Sequence, residues 1–280
     1  NVISENGSDR PWHEREYIRV DWGKNMIADL AFDPDNFTLT SGGDFVHENA
    51  DEPGALDVTE DHINITSRIM VAPVNSRSCF YGYREYDDNT MDCEASEVTY
   101  RTSFRKLDPV EEAAYEKMHY DDLRYNKFGN FRVNRYAYNR DYGVRFSNTK
   151  FLATRWNIWE SATDENGNAL EPAARTPQPI VFYLNAEFPY DNAALVEGNA
   201  KVEAEWDEKF RNAVAAAQNV DPSSVRQMYY ICDNPVRDYG TDTARQEACG
   251  EAGLSPLLGD LRYPMVNYIT QPHLSAPLGY

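Results

Sequence analysis

Hydrophobic and polar residues alternate along the first part of the chain with the two-residue period of half-buried strands. Tyr17 to Trp22 (YIRVDW) follows this period, and Ile63 to Val71 (INITSRIMV) follows it less strictly. Glu97 to Leu107 (EVTYRTSFRKL) sets Val98, Tyr100, Thr102 and Phe104 on one face. Between the first two runs, Ser41-Gly42-Gly43-Asp44 and Asp51-Glu52-Pro53-Gly54 supply turn chemistry, which predicts a β meander through about Val74. Asp108-Pro109, a capping residue followed by a first-turn proline, predicts a short helix over Glu111 to Met118.

The period changes in the last third. Pro179 to Asn185 (PIVFYLN) is a continuous apolar run suited to a buried strand, and Asn192 to Ala217 is helical in pattern. There Val202, Trp206, Phe210 and Val214 recur every four residues, while Glu203, Glu205, Asp207, Glu208 and Lys209 occupy much of the rest. This stripe is expected to pack on a sheet, so the face reads as structural. Gln227 to Cys232 (QMYYIC) and Tyr263 to Thr270 (YPMVNYIT) supply two more strands. Glu171 to Pro179, with Pro172, Pro177 and Pro179, is the best linker. The expected architecture is α+β, with a β-rich domain over 1–175 and a strand-helix-strand domain over 176–280.

At 280 residues and 41% hydrophobic content the chain has room for two cores. Its formal net charge of −19 repels a phosphate backbone at long range, which argues against nucleic-acid binding and favours cation binding or a basic partner. Arg124 to Arg155 runs against this trend. Arg124, Lys127, Arg132, Arg135, Arg140, Arg145, Lys150 and Arg155 face one acid, Asp141, and are interleaved with Tyr and Phe. Such a segment can stack on single-stranded nucleic acid, but the acidity of the rest favours pairing with the protein's own carboxylates or with a protein partner. No apolar stretch reaches the ~20 residues of a bilayer span. No charged-then-apolar leader stands at the start, and Asn1 is not an initiator Met, so the chain reads as processed or trimmed.

The four cysteines form two local pairs, Cys79 with Cys93 and Cys232 with Cys249, although four allow three connectivities. Each pair flanks a polar loop, so local bridges are expected, each contributing ~3 kcal/mol in the chain-entropy account. That places the chain in an oxidising compartment: secreted, periplasmic or at the cell surface. The histidines are His13, His47, His62, His119 and His273, and none pairs with another at i, i+4. His47-Glu48-Asn49-Ala50-Asp51 has Asp where a zinc helix needs its second His, and reads as a solvated loop. Asp164-Glu165-Asn166-Gly167-Asn168 has its glycine two places too early for a calcium loop, and a type I′ turn explains Asn-Gly. No nucleophile elbow, phosphate loop or dinucleotide fingerprint occurs, so no catalytic, cofactor-binding or metal-ligating residue is assigned.

Three stretches of the last third carry a resemblance: PIVFYLNAEFP, the helix EWDEKFRNAVAAA, and GDLRYPMVNYITQPHLSAPLGY. They resemble the opening of the catalytic domain in large secreted bacterial zinc-dependent metallopeptidases of the metzincin-like type. DRPWHEREYIRVDW, FGNFRVNRYAYNRDYGV and TRWNIW resemble the region that precedes that domain. The resemblance implies a partial α/β peptidase domain whose edge strand and His-Glu-x-x-His zinc helix come after Leu278-Gly279-Tyr280. It therefore implies no zinc in this chain and zinc only beyond Tyr280. The partner would be the C-terminal remainder of the same precursor or another subunit. The competing expectation is a non-enzymatic extracellular binding or assembly protein on a degenerate peptidase scaffold.

Overall fold

The computed structural model describes residues 10–11, 14, 37–39, 46–47, 56–73, 96–129, 131–136 and 149–268. The fold is α+β, and the chain divides into two compact units. The first comprises Asn1–Val58, Ile63–Thr102 and His273–Tyr280, and the second Thr59–His62 and Ser103–Pro272. The segment Tyr17 to Trp22 lies outside the described residues.

The first unit is built on one long strand. Phe37–Leu39 (β1), Val46–His47 (β2) and Leu56–Val58 (β3) pair antiparallel with successive stretches of His62–Pro73 (β4), and Ser96–Arg105 (β5) pairs with β4 as well. The registers Leu39↔Val71, Val46↔Arg68 and Leu56↔Ile65 run in order down β4. Within the region of the predicted meander, the three described segments thus pair along a single long strand.

In the second unit, Asp108 caps Pro109–Ala114 (α1) by accepting from Val110 N–H at 2.7 Å. This helix ends four residues before the predicted Met118. From there the backbone joins a sheet instead: Met118 O accepts from Ala153 N–H and Tyr120 N–H donates to Phe151 O. Asp122–Phe128 (α2) ends at Gly129, whose φ of 68° is the left-handed closure that glycine tolerates. Arg132–Tyr136 (β6) and Thr149–Ala153 (β7) then pair antiparallel.

The core of this unit is a parallel sheet. Ile180–Leu184 (β8), Tyr229–Cys232 (β9) and Met265–Val266 (β10) lie in the order β10-β8-β9, with Ala193–Gln218 (α3) and Thr243–Cys249 (α4) between them in sequence. Strand alternation sorts the side chains by face. Ile180, Leu184, Tyr229 and Ile231 pack with Phe210, Val214 and Ala215 of α3, whereas Tyr183, Tyr230 and Cys232 pack with Cys249 of α4 and Val236. A sheet covered on both faces explains why PIVFYLN is apolar without alternation.

The turn-rich segment predicted as the domain boundary lies inside the second unit. Its Arg175 is buried and donates to Leu170 O at 2.9 Å and to Glu116 at 2.9 Å, while Gln218 of α3 donates to Arg175 O at 2.8 Å. The prolines shape a 3-10 turn at Pro172–Ala174 that α3 packs against. The turn at Asp164 differs from the predicted type I′. Asn166 does not take positive φ; Gly167 does, at 80°. Asp164 N–H donates to Asn168 O at 2.8 Å and Gly167 N–H to Asp164 O at 2.9 Å, so the hairpin closes through a three-residue loop with a left-handed glycine.

The long helix also departs from expectation. Its stripe is buried at Phe210 and Val214, but Val202 is 45% and Trp206 48% exposed. At 26 residues α3 is ~39 Å long, while strands of four or five residues span ~13–17 Å, so the helix outruns the sheet, and Trp206 lies over its edge strand, stacked on Tyr229 of β9 at 6.2 Å.

Candidate functional site

Because the sheet order is β10-β8-β9, the chain leaves β8 toward one side through α3 and comes back to the other side as β10. The strand order reverses at the carboxyl ends of β8 and β10, where open α/β sheets hold ligands. Asn185, next after β8, fastens this point. Its N–H donates to Val266 O at 3.3 Å, its Oδ1 accepts from Tyr268 N–H at 2.7 Å, and its Nδ2 donates to Tyr268 O at 2.9 Å and to a Glu187 carboxylate oxygen at 2.8 Å. The buried amide thus continues the β8–β10 ladder with a side chain. Phe188 packs edge-on against Tyr190 at 5.1 Å and Tyr268 at 6.4 Å above it.

The residues after β9 complete this end. Asn234 is buried, donates through Nδ2 to Pro256 O at 2.8 Å, accepts from Ser255 Oγ at 2.9 Å, and gives its N–H to Tyr190 Oη at 2.8 Å. Asp233 pairs with Arg237 at 3.0 Å, and the Arg237 guanidinium lies 4.8 Å over the Tyr190 ring. Burial raises the pKa of Tyr190 and of Tyr239, so both are neutral phenols at pH 7. No histidine is placed at this end by any hydrogen bond or ring contact among the described residues. The groups present can orient a polar ligand, but they form no nucleophile–base pair.

The β9 edge of the sheet carries a buried ion pair. Glu203 of α3 is 9% exposed and sits against β9, the edge strand. Its carboxylate accepts from Ile231 N–H at 2.8 Å and from Gln227 Nε2 at 3.1 Å, and pairs through both oxygens with Arg245 of α4. Burial alone would weaken the Arg245 charge, but the Glu203 hydrogen bonds and charge outweigh it and hold the guanidinium pKa above its usual value. One turn along α3, Asp207 accepts from Met228 N–H at 2.6 Å. The sequence placed both acids among the solvated positions of the helix, and Arg245, 42 residues further on, offered no local signal.

Of the predicted cysteine pairs, Cys232 and Cys249 are bonded, with Cα atoms 5.6 Å apart. The link ties the end of β9 to the end of α4, and Tyr183 Oη donates to Cys249 O at 3.0 Å beside it. Cys79 and Cys93 lie outside the described residues, as do His13 and His273. His62 is buried, with Nδ1 2.9 Å from Thr59 Oγ1. His119 bridges to Leu152, and His47 falls in β2. Among the described residues no group of three or more His, Cys, Asp or Glu is placed to hold a metal ion. Both Asp164 oxygens are taken by hydrogen-bond donors: Asn166 N–H, Asn168 N–H and Asn168 Nδ2.

In the basic segment, Arg132 pairs with Asp122 at 2.7 Å and lies between the rings of Tyr125 and Phe151, at 4.6 and 4.2 Å. Arg155 lies 3.8 Å from Glu116 and over the Tyr115 ring. These arginines are matched by the protein's own acids and rings. Arg140, Asp141 and Arg145 lie outside the described residues. Among the described residues no helix is long and apolar enough to cross a membrane. No known protein family, curated protein or solved structure matches this chain.

Proposed function

We propose that this chain is the accessory and scaffold part of a secreted zinc-dependent metallopeptidase, with the zinc helix supplied by a segment other than these residues. The observation that carries the reading is the unequal treatment of the two sheet edges. β9 is closed by side chains of α3 and α4, whereas β10, among the described residues, pairs only with β8. A parallel sheet closed on one side and extendable on the other suits a scaffold that adds strands past β10. The run β8-α3-β9 fits the strand-helix-strand domain expected over 176–280, with the short helix α4 standing before β10. The Cys232–Cys249 bond favours an oxidising compartment.

In this reading the chain itself holds the scaffold, and a metal-bound water activated elsewhere would attack the peptide carbonyl. Peptide mapping of the native secreted protein tests it. The expected result is a His-Glu-x-x-His peptide in the same polypeptide or complex, with about one zinc per chain and chelator-sensitive cleavage. A native protein that lacks such a segment and cleaves nothing overturns it. The residues 1–280 alone should bind no stoichiometric zinc. A second reading, a non-enzymatic extracellular binding protein, is favoured by the half-exposed indoles of Trp156 and Trp206.

A further inference from the structure

Arginine over an aromatic ring, with a carboxylate beside it, recurs throughout the second unit. Arg132 has Tyr125, Phe151 and Asp122; Arg155 has Tyr115 and Glu116; Arg237 has Tyr190 and Asp233. Arg245 has Tyr230, Tyr239 and Glu203, and Arg262 has Tyr263 and Asp260. The planar, weakly hydrated guanidinium suits this use, because it can stack on a ring and keep its edge for the carboxylate.

One aromatic cluster has, among the described residues, no cation over its rings. Trp206 stacks on Phe210 at 5.7 Å and 25° and on Tyr229 at 6.2 Å and 30°. Trp156 stands nearly perpendicular to Phe210, at 6.3 Å and 87°, and packs against Phe182 at 5.6 Å. Phe210 is 9% exposed and both tryptophans are 48% exposed, so the two indoles rise from a buried ring at a near right angle. Among the described residues no Lys or Arg lies over any of these rings, and neither indole N–H donates a hydrogen bond. Glu205 precedes Trp206 on α3, whereas Asp207, which follows it, is held by Met228 N–H and lies 3.8 Å from Arg211. The Glu205 carboxylate is 64% exposed and only 3.8 Å from Lys201, a loose pair.

We propose that this face binds an arginine side chain from a basic segment of a protein partner. The guanidinium stacks on the Trp206 indole, with Trp156 as the side wall and the Glu205 carboxylate as counter-ion. The net charge of −19 supplies the long-range attraction for such a partner. The surface exists independently of the peptidase reading, and binding here requires no zinc.

Titration of residues 1–280 with an alternating Arg-Ser dodecapeptide at physiological salt, read by tryptophan fluorescence and calorimetry, tests the proposal. The control peptide carries citrulline, which keeps the shape and removes the charge. Expected are saturable binding of the arginine peptide and at least about tenfold weaker binding of the citrulline peptide. Trp206→Ala and Trp156→Ala should each weaken binding about two- to thirty-fold, the range for a cation over an indole. Trp206→Phe should recover part of the loss, which mere mis-folding would not, and Glu205→Gln should flatten the salt dependence. Equal affinity for the citrulline peptide overturns the proposal. So does binding unchanged in the tryptophan variants, which would mark a diffuse attraction to an acidic protein, or no binding at millimolar peptide.

Discussion

The two edges of the parallel sheet solve the same problem in opposite ways. The outer edge of β9 has its backbone groups taken by side chains: Ile231 N–H by Glu203, Met228 N–H by Asp207, and Ile231 O by Arg245 at 3.4 Å. At β10 the two strand residues pair with β8 and, among the described residues, with nothing further. A buried ion pair is usually a poor source of stability, since desolvation offsets most of its Coulomb gain. Here the carboxylate also meets a backbone donor that would otherwise stand unpaired at an edge. The pair therefore acts as a terminator of the sheet, and what it chiefly confers is a boundary.

The most damaging test of this contrast is Glu203→Ala. It strands Arg245 and uncovers Ile231 N–H, so it should cost about 3–5 kcal/mol in chemical denaturation and promote self-association through β9. A change under about 1 kcal/mol would show that the β9 edge does not need its cap. Next in size is Cys232→Ser with Cys249→Ser, which frees the end of β9 from α4. For a sequence separation of 17, thermal melting should register a loss of about 2–4 kcal/mol. Asp207→Ala removes one acceptor from the same edge and should cost about 1–3 kcal/mol, the range for an orphaned backbone donor, by the same assay. At the small end stands the exposed pair Arg132–Asp122, whose carboxylate side chain is 76% exposed. Asp122→Asn should change stability by less than about 1 kcal/mol, and less still in high salt.

Glu116 adds a pH arm to the comparison. Its hydrogen bond from Arg175 and the charges of Arg175 and Arg155 hold its carboxyl below the ordinary value of 4.5, against a smaller opposing effect of burial. A depressed folded-state pKa contributes stability above the unfolded value, and the contribution disappears as the pH falls through the folded value. Because the side chain is half exposed, screening keeps it to no more than about 1 kcal/mol. Denaturation midpoints of Glu116→Gln and the parent should therefore differ at pH 7 and converge in acid below the glutamate range.

Several elements were legible because their causes are local. The apolar run at Ile180–Leu184 became a central strand, Asn192 capped α3 by accepting from Ala194 N–H at 3.2 Å and Leu195 N–H at 3.4 Å, and QMYYIC became β9. Each depends on periodicity, a capping oxygen or an apolar run within a few residues. The bond between Cys232 and Cys249 was legible for the same reason of nearness.

What the tertiary structure decided is which of these local choices meet. The four-residue stripe of α3 specifies a helix with an apolar face, but not how much sheet lies beneath it. The sheet buries Phe210 and Val214 but leaves Trp206, stacked on Tyr229 of the edge strand β9, half in solvent, which turned an expected core face into a candidate binding surface. Glu203 looked like any other acid on a solvated helix until β9 and Arg245 arrived from 28 and 42 residues away. Periodicity reports which side of an element is apolar. Burial, pairing and the edge of a sheet depend on what the rest of the chain brings to that side, and a local pattern carries no record of it.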